Sequence, residues 1–344
     1  MTRRMWPWLR TLGGLAILTV LLWHVGSGAL LDGLRRIDAG TLLVAVGIGV
    51  LTTACSAWRW CLVARGLGLR LPLGQAVADY YRALFLNAAL PGGVLGDVHR
   101  AVRHGRAAGD VGSGVRAVVL ERAAGQLVLL VVGAVVLAVQ RSPVRAAVVR
   151  ALTGPISGWV LAALVAGGLA VVLLSRARRR RAGAVDRSGG GWRAAVSEAG
   201  RAVAGRARWP GVVGASSVVL VGYVATFVLA ARVAGVRAPV GDLVPLVVLA
   251  LLAMALPLNV GGWGPREGVA AWAFGAAGLG AAQGLATAVV YGVLVLAASL
   301  PGAGVLLARW GAGLRAARRS PHGAAAGGVR RGGALAGAAD DRRR

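Results

Sequence analysis

The residues of this chain that could do chemistry in a low-dielectric medium are few, and they come in opposite-charge pairs. Glu121 is followed by Arg122, Arg266 by Glu267, and Asp97 precedes Arg100 by three positions, with Asn87 ten residues before Asp97. Ionised side chains are costly away from water, so such pairs neutralise one another. An arginine with donors left over can hold a phosphate through two parallel N–H···O bonds. Two of the pairs stand just after a run of helix-breaking residues: Pro91, Gly92 and Gly93 before Asp97, and Pro257, Gly261 and Gly262 before Arg266. Backbone amides freed where a new helix starts after such a break add donors for the same anion. The chemistry this set supports is recognition of an anionic group at membrane depth.

Other chemistries have no visible home. All 39 basic residues are arginine, so a Walker A loop, a Schiff base and a pyridoxal site are excluded for want of a lysine. His99 and His104 are five apart and do not share a helix face, and with no third ligand beside them no metal is expected. No Ser/His/Asp grouping has a plausible context, and the Asp340-Asp341 pair lies in a polar tail. Neither a cofactor nor enzyme activity is therefore expected. Cys55 and Cys61 sit in one apolar run and read as free buried thiols.

The elements that must position these residues are read from composition. Residues of the AVILMFWYC set make up 57% of the 344, glycine adds 54 residues, and charged residues reach only 15%. Soluble domains carry about 25% charge, so there is too little polar surface to clothe a water-soluble globule of this size. The net charge of +27 could suggest nucleic acid, but the arginines lie between apolar runs and not along an amphipathic face, so no nucleic-acid partner is expected. The expected partners are membrane lipids, anionic ones above all.

The fold class is an all-α polytopic membrane protein. Six runs are long and apolar enough to span: residues 12–31, 41–58, 117–140, 156–175, 211–231 and 285–308. The first is too long, and too poor in small residues after it, for a cleaved signal peptide. Two further stretches, about 74–104 and 242–280, are apolar but broken in the middle, each half being short for a crossing; they read as re-entrant broken-helix hairpins, the alternative being ordinary span pairs with Gly/Pro turns, giving up to ten crossings. The order is span, span, hairpin, span, and then the same again, in residues 12–140 and 141–308. Three crossings per unit is an odd number, so the second unit is inserted upside down, as an inverted repeat with its ligand at the breaks. The arginines of residues 1–11 and of loop 176–209 place both in the cytoplasm, together with a disordered basic tail, 309–344. The plasma membrane is the expected location. Trp6, Trp8, Trp58, Trp60, Trp209 and Trp310 fall at span ends, where an indole suits the interface.

One stretch carries a family likeness. Residues 80–100, YYRALFLNAALPGGVLGDVHR, together with Trp58-Arg59-Trp60, Leu120-Glu121-Arg122, residues 256–268 (LPLNVGGWGPREG) and Ser299-Leu300-Pro301-Gly302, resemble the lysylphosphatidylglycerol synthase transmembrane region, a flippase-like family. The likeness covers about residues 10–310. It implies an integral membrane protein whose relatives include the half of a bifunctional enzyme that translocates aminoacylated phosphatidylglycerol. The chain ends 36 residues after Ala308, so the synthase half is expected to be absent. The family often has an arginine after the tyrosine of the last span, whereas here Gly292 follows Tyr291. Two functions are open at this stage: translocation of a phospholipid or lipid-linked precursor, with Arg122 and Arg266 on the phosphate and Glu121 and Glu267 orienting them, or a non-transporting anchor for a glycosyltransferase or lipid-modifying enzyme.

Overall fold

The computed structural model describes residues 34–89, 94–140, 143–153, 208–254 and 264–308. Two of the expected spans, 12–31 and 156–175, lie outside the described residues, as do loop residues 176–207, the two terminal segments and the breaks at Pro91, Gly92, Gly93, Pro257, Gly261 and Gly262. Everything regular among the described residues is helical: α1 Ala39–Gly66, α2 Leu73–Ala89, α3 Leu95–Ala107, α4 Val111–Val139, α5 Pro143–Thr153, α6 Trp209–Val233, α7 Val240–Met254, α8 Pro265–Ala276 and α9 Ala281–Ser299. A turn at Leu300 carries α9 on as one apolar stretch, Ala281–Ala308.

Four of these helices, of 25 to 29 residues, are long and apolar enough to cross a bilayer. They contain the other four expected spans. At ~1.5 Å per residue each exceeds the ~30 Å hydrocarbon layer, which a tilt accommodates. Their outward faces carry unpaired apolar side chains such as Leu43, Leu127, Val139 and Val221, each more than half exposed, which is the surface lipid tails require. Between them, α2, α3, α7 and α8 have 17, 13, 15 and 12 described residues and are shorter than the four long helices. The helix starts are set by local chemistry. Asp38 caps α1 by accepting from the Thr41 amide at 2.7 Å, and Asp110 caps α4 by accepting from the Ser113 amide at 3.1 Å. The bonds from Thr41 and Ser113 hold both exposed carboxyls below their usual pKa range.

A repeat runs through the backbone. Helices α1 to α4 start at Ala39, Leu73, Leu95 and Val111, and α6 to α9 start at Trp209, Val240, Pro265 and Ala281, which are 170, 167, 170 and 170 residues further on. The helix ends match as well. Gly68 (φ 76°) closes α1 and Gly235 (φ 87°) closes α6, each with the following residue donating back to a carbonyl five positions earlier, Leu69 to Ala64 and Val236 to Ala231. Packing repeats too. A Cβ on Gly114 would strike the backbone of Ala101 and Gly105 in α3, and one on Gly284 the backbone of Ala270 in α8. Gly133 of α4 abuts Val248 and Leu252 of α7, while Gly302 abuts Tyr81 and Phe85 of α2.

The halves meet along α1 and α6, which pack antiparallel: Gly211 lies on Leu62 and Trp58, and Gly222 on Thr52 and Ile48. Two apolar cores form: one around Trp60, Tyr80 and Val118 of the first half, the other around Phe227, Leu246, Phe274 and Tyr291 of the second with Ala45, Leu129 and Val144 of the first packed into it. Trp60 is thus a correction: it is fully buried and not at an interface, because α1 runs on to Gly66 past the expected span end. Trp58 and Trp209 are 41% and 50% exposed, as interfacial indoles are. Cys61 is buried, but Cys55 is only partly so.

The glycine contacts set an expectation for stability. Gly284→Ala drives a methyl into the α8 backbone and should destabilise by about 1–3 kcal/mol. Gly214→Ala in α6 meets nothing within 4 Å and should be neutral or stabilise by up to about 1 kcal/mol. Thermal melts of the two purified variants in one detergent check the ordering.

Candidate functional site: a buried charge ladder and an arginine-lined cavity

Glu121 lies in the third turn of α4, deeper than the sequence placed it, because α4 begins at Val111. It is fully buried and accepts from three side chains. Arg59 of α1 donates from Nε at 3.0 Å and also from Nη2; Arg100 of α3 donates from Nη2 at 2.7 Å; and the Tyr80 hydroxyl of α2 lies at 3.3 Å. Arg100 continues the ladder, donating from Nε to Asp97 at 2.8 Å, and Asp97 accepts in turn from Arg122 Nη2 at 2.7 Å and from Asn87 at 3.1 Å. The Asn87 carbonyl accepts from the Gly96 amide at 2.8 Å, which ties the end of α2 to the start of α3 across the first break. At the other end Arg59 reaches α6 and donates to Ser216 Oγ at 3.0 Å.

The guanidinium of Arg100 has no route to water and is sandwiched by rings, 4.5 Å from the Tyr80 centroid and 4.8 Å from that of Trp60. In the second half Arg266 donates from Nε to Glu267 at 2.9 Å and stacks over Tyr291 at 5.0 Å. Glu267 also accepts from the Gly264 amide at 2.6 Å, reaching back to the residue before α8 and closing its first turn; Gly264 has no side chain to return the bond. Gly264 holds φ 120°, a conformation other residues avoid.

These groups surround a cavity of about 300 Å³ between the halves. Arg59, Tyr80, Asn87 and Arg122 face it from the first half, and Tyr223, Arg266, Tyr291 and Gly292 from the second; Leu129, Leu220 and Leu251 complete an apolar side. Of the residues singled out in the sequence, Arg122, Arg266 and Asn87 reach the cavity, whereas Glu121, Asp97, Arg100 and Glu267 stand behind it as the groups that hold the arginines. The volume is at the lower end for ligand pockets and suits a headgroup better than acyl chains. Three guanidiniums on the ladder, Arg59, Arg100 and Arg122, face two carboxylates, Glu121 and Asp97, while Arg266 is matched by Glu267. Among the described residues one positive charge is left over, and Arg122 Nε has no hydrogen-bond partner there. The arrangement can bind one monoanion of phosphodiester type.

Arg59, Tyr80, Tyr223 and Tyr291 were not among the candidate residues. Arg59 carried a signal, a charge inside an apolar run, and helix α1 continuing beyond it makes that charge internal. Tyr80 and Tyr291 appeared only in the family likeness, and Tyr223 carried no signal. His99 Nδ1 pairs with Arg82 at 2.9 Å and His104 lies edge-on to Trp60, both away from the cavity.

Removing Glu121 leaves Arg59 and Arg100 buried without their shared counter-charge, so Glu121→Ala should destabilise by about 3–5 kcal/mol. Arg122→Ala, whose side chain is 41% exposed, should change stability by less than about 1 kcal/mol. Detergent-titrated thermal melts of both variants check this.

Comparison with known proteins agrees with the likeness in the sequence. No curated protein and no solved structure matches the chain. The family model of the lysylphosphatidylglycerol synthase TM region matches residues 8–302. With its long apolar helices and this match over most of its length, the chain is a multi-pass helical membrane protein and belongs to the lysylphosphatidylglycerol synthase transmembrane-region family.

Proposed function

We propose that the protein moves a phospholipid, or a lipid-linked precursor, between the leaflets of the plasma membrane, without changing it covalently. The observation that carries this reading is that Arg122 and Arg266, from different halves, line one cavity with an unmatched positive charge inside a membrane-embedded bundle. A phosphate is the anionic group every phospholipid has, and a guanidinium binds it bidentately. The glutamates position the arginines: Glu267 anchors Arg266 to the first turn of α8, and Glu121 fixes the ladder from which Arg122 extends. Six spans and two re-entrant hairpins, with both termini in the cytoplasm, complete the reading.

The inverted repeat is part of the same proposal. Its support is the near-constant offset of 167 to 170 residues between corresponding helix starts, combined with the antiparallel packing of α1 on α6. Corresponding helices that run oppositely are related by an axis in the membrane plane. An axis along the membrane normal would leave them parallel. Arg70 and Arg237, exposed at corresponding positions after α1 and α6, then belong to opposite faces. With Cys55 and Cys61 replaced by serine, Arg70→Cys and Arg237→Cys should label from opposite sides of the membrane with an impermeant maleimide. Labelling of both from one side removes the inversion.

Transport is tested by reconstitution. Purified protein in liposomes containing an NBD-labelled phospholipid should expose the inner-leaflet label to dithionite, and Arg122→Ala or Arg266→Ala should slow this roughly tenfold or more, the loss of a charge-assisted contact. Variants that fold normally and move lipid at the native rate would remove these arginines from the mechanism. Silence of the native protein across several lipid classes would favour a membrane anchor for a lipid-modifying or glycosyltransferase enzyme.

A further inference from the structure

A second group of charges joins α2 to α3 away from the cavity. Arg103 of α3 donates from Nη1 to Asp79 of α2, Arg82 lies 3.5 Å from the same carboxylate, and Arg82 Nη2 donates to His99 Nδ1 at 2.9 Å. A guanidinium has no acceptor, so the His99 nitrogen that meets it is the bare one, and the ring carries its proton on Nε2 as a donor. Two guanidiniums face one carboxylate in these pairs. The frame accepts apolar residues in their place. At the offsets of the repeat, 167 for α2 and 170 for α3, the counterparts of Asp79, Arg82, His99 and Arg103 are Leu246, Leu249, Val269 and Ala273. Packing follows the same offset in α2, because Tyr81 and Phe85 lie on Gly302 as Val248 and Leu252 lie on Gly133.

The face of α3 that carries His99 and Arg103 is graded along its axis. Leu95, Val98, His99, Val102, Arg103 and Arg106 fall on one side of the helix. Leu95 and Val98 are about half exposed, His99 and Arg106 are exposed, and the Arg103 side chain keeps a third of its surface open. A tight turn at Gly109 (φ 75°) joins the basic end of this stripe to the start of α4, whose 29 residues reach beyond the ~30 Å hydrocarbon layer. That end therefore stands at headgroup level, with Arg103 about 6 Å and Leu95 about 18 Å from the end of α3 at ~1.5 Å per residue. Exposed apolar side chains alone are ordinary for a bundle in lipid. Their alignment beneath an excess of guanidiniums adds a place for an anionic headgroup group as well as for a chain.

We propose that this face of α3 is a second, peripheral site, where His99 Nε2, Arg103 and Arg106 hold the phosphate of a phospholipid in the adjacent leaflet and Leu95 and Val98 take its acyl chain. The phosphate is read from outside the bundle, and what the headgroup carries beyond it is not selected. The site needs only a bilayer around the helices and stands whether or not the central cavity moves lipid.

The test uses the full-length protein in liposomes of digalactosyldiacylglycerol, a bilayer lipid without phosphate, doped with phosphatidylcholine that carries a photoreactive acyl chain. Labelled residues are mapped by mass spectrometry. Labelling of Leu95 and Val98 should exceed that of Val221, an exposed residue of α6, roughly tenfold, the effect of charge-assisted hydrogen bonds to the phosphate. Photoreactive diacylglycerol, which has the chains and no phosphate, should label the two faces alike. Arg103→Gln should reduce the phospholipid enrichment to the diacylglycerol level, and so should Arg106→Glu, an exposed change that leaves the Asp79 pairs intact. Arg116→Glu, the same charge change at the start of α4 and off the stripe, should leave the enrichment in place. Equal labelling of both faces by the phospholipid, enrichment of diacylglycerol, enrichment that survives Arg103→Gln and Arg106→Glu, or equal loss in Arg116→Glu overturns the proposal. Loss of the enrichment on adding millimolar inorganic phosphate assigns the site to a soluble anion and overturns the lipid.

Discussion

The fully buried carboxylate of Glu121 is the constraint around which the described helices are arranged. A single charge in that position would be untenable, and it is tolerable only because Arg59 and Arg100 converge on it from two other helices. Each of those arginines then needs its own surroundings. Arg100 obtains them from Asp97 and from the faces of Tyr80 and Trp60, and Arg59 from Ser216 on the far side of the α1–α6 contact. Satisfying one carboxylate thus fixes the relative placement of α1, α2, α3, α4 and α6. It also sets the electrostatics of the cavity, because the ladder ends on Arg122 with one more guanidinium than carboxylates.

The backbone of the two halves is far more alike than their chemistry. The offset of 170 residues between the starts of α3 and α8, and of α4 and α9, brings Asp97 onto Glu267, Glu121 onto Tyr291 and Arg122 onto Gly292. The acidic residue in the first turn after each break is kept, whereas the buried ion ladder occurs in the first half alone among the described residues. Tyr291, where the first half has Glu121, packs on Phe227 and under Arg266 and needs no counter-charge. Matching helix starts thus frame an asymmetric site, with one half supplying three linked guanidiniums and the other a single arginine paired with its neighbour.

Much of the frame was legible in the sequence. Uninterrupted apolar runs mark the four described spans, since nothing but a long helix satisfies its backbone in hydrocarbon. Acidic residues placed within a turn of the next helix start mark α3 and α8. The pairing was not legible. Glu121 and Arg122 are adjacent in sequence but project in different directions around α4, so Glu121 bonds to Arg59 and Arg100, 62 and 21 residues away, while Arg122 bonds to Asp97. Adjacent residues on a helix do not face each other, and only the tertiary fold selects their partners. Trp60 escaped for a related reason: an indole near the end of an apolar run reads as interfacial unless the helix is known to continue past it.

The same partnering bears on how such a site could release what it binds. A guanidinium kept bare for a phosphate would be costly at membrane depth before the ligand arrives and would grip it afterwards. Here the cavity arginines each have a carboxylate at hand, Asp97 for Arg122 and Glu267 for Arg266. Binding a phosphate then exchanges or shares an existing partner and does not create the first one, so the gain is the difference between two charge-assisted contacts and not the whole of one. Transit through a membrane requires binding strong enough to enter and weak enough to leave. Under the proposed translocation, carboxylates placed behind the arginines would meet both requirements: they keep the charges soluble in the protein when the cavity is empty, and they would take the arginines back when a phosphate leaves.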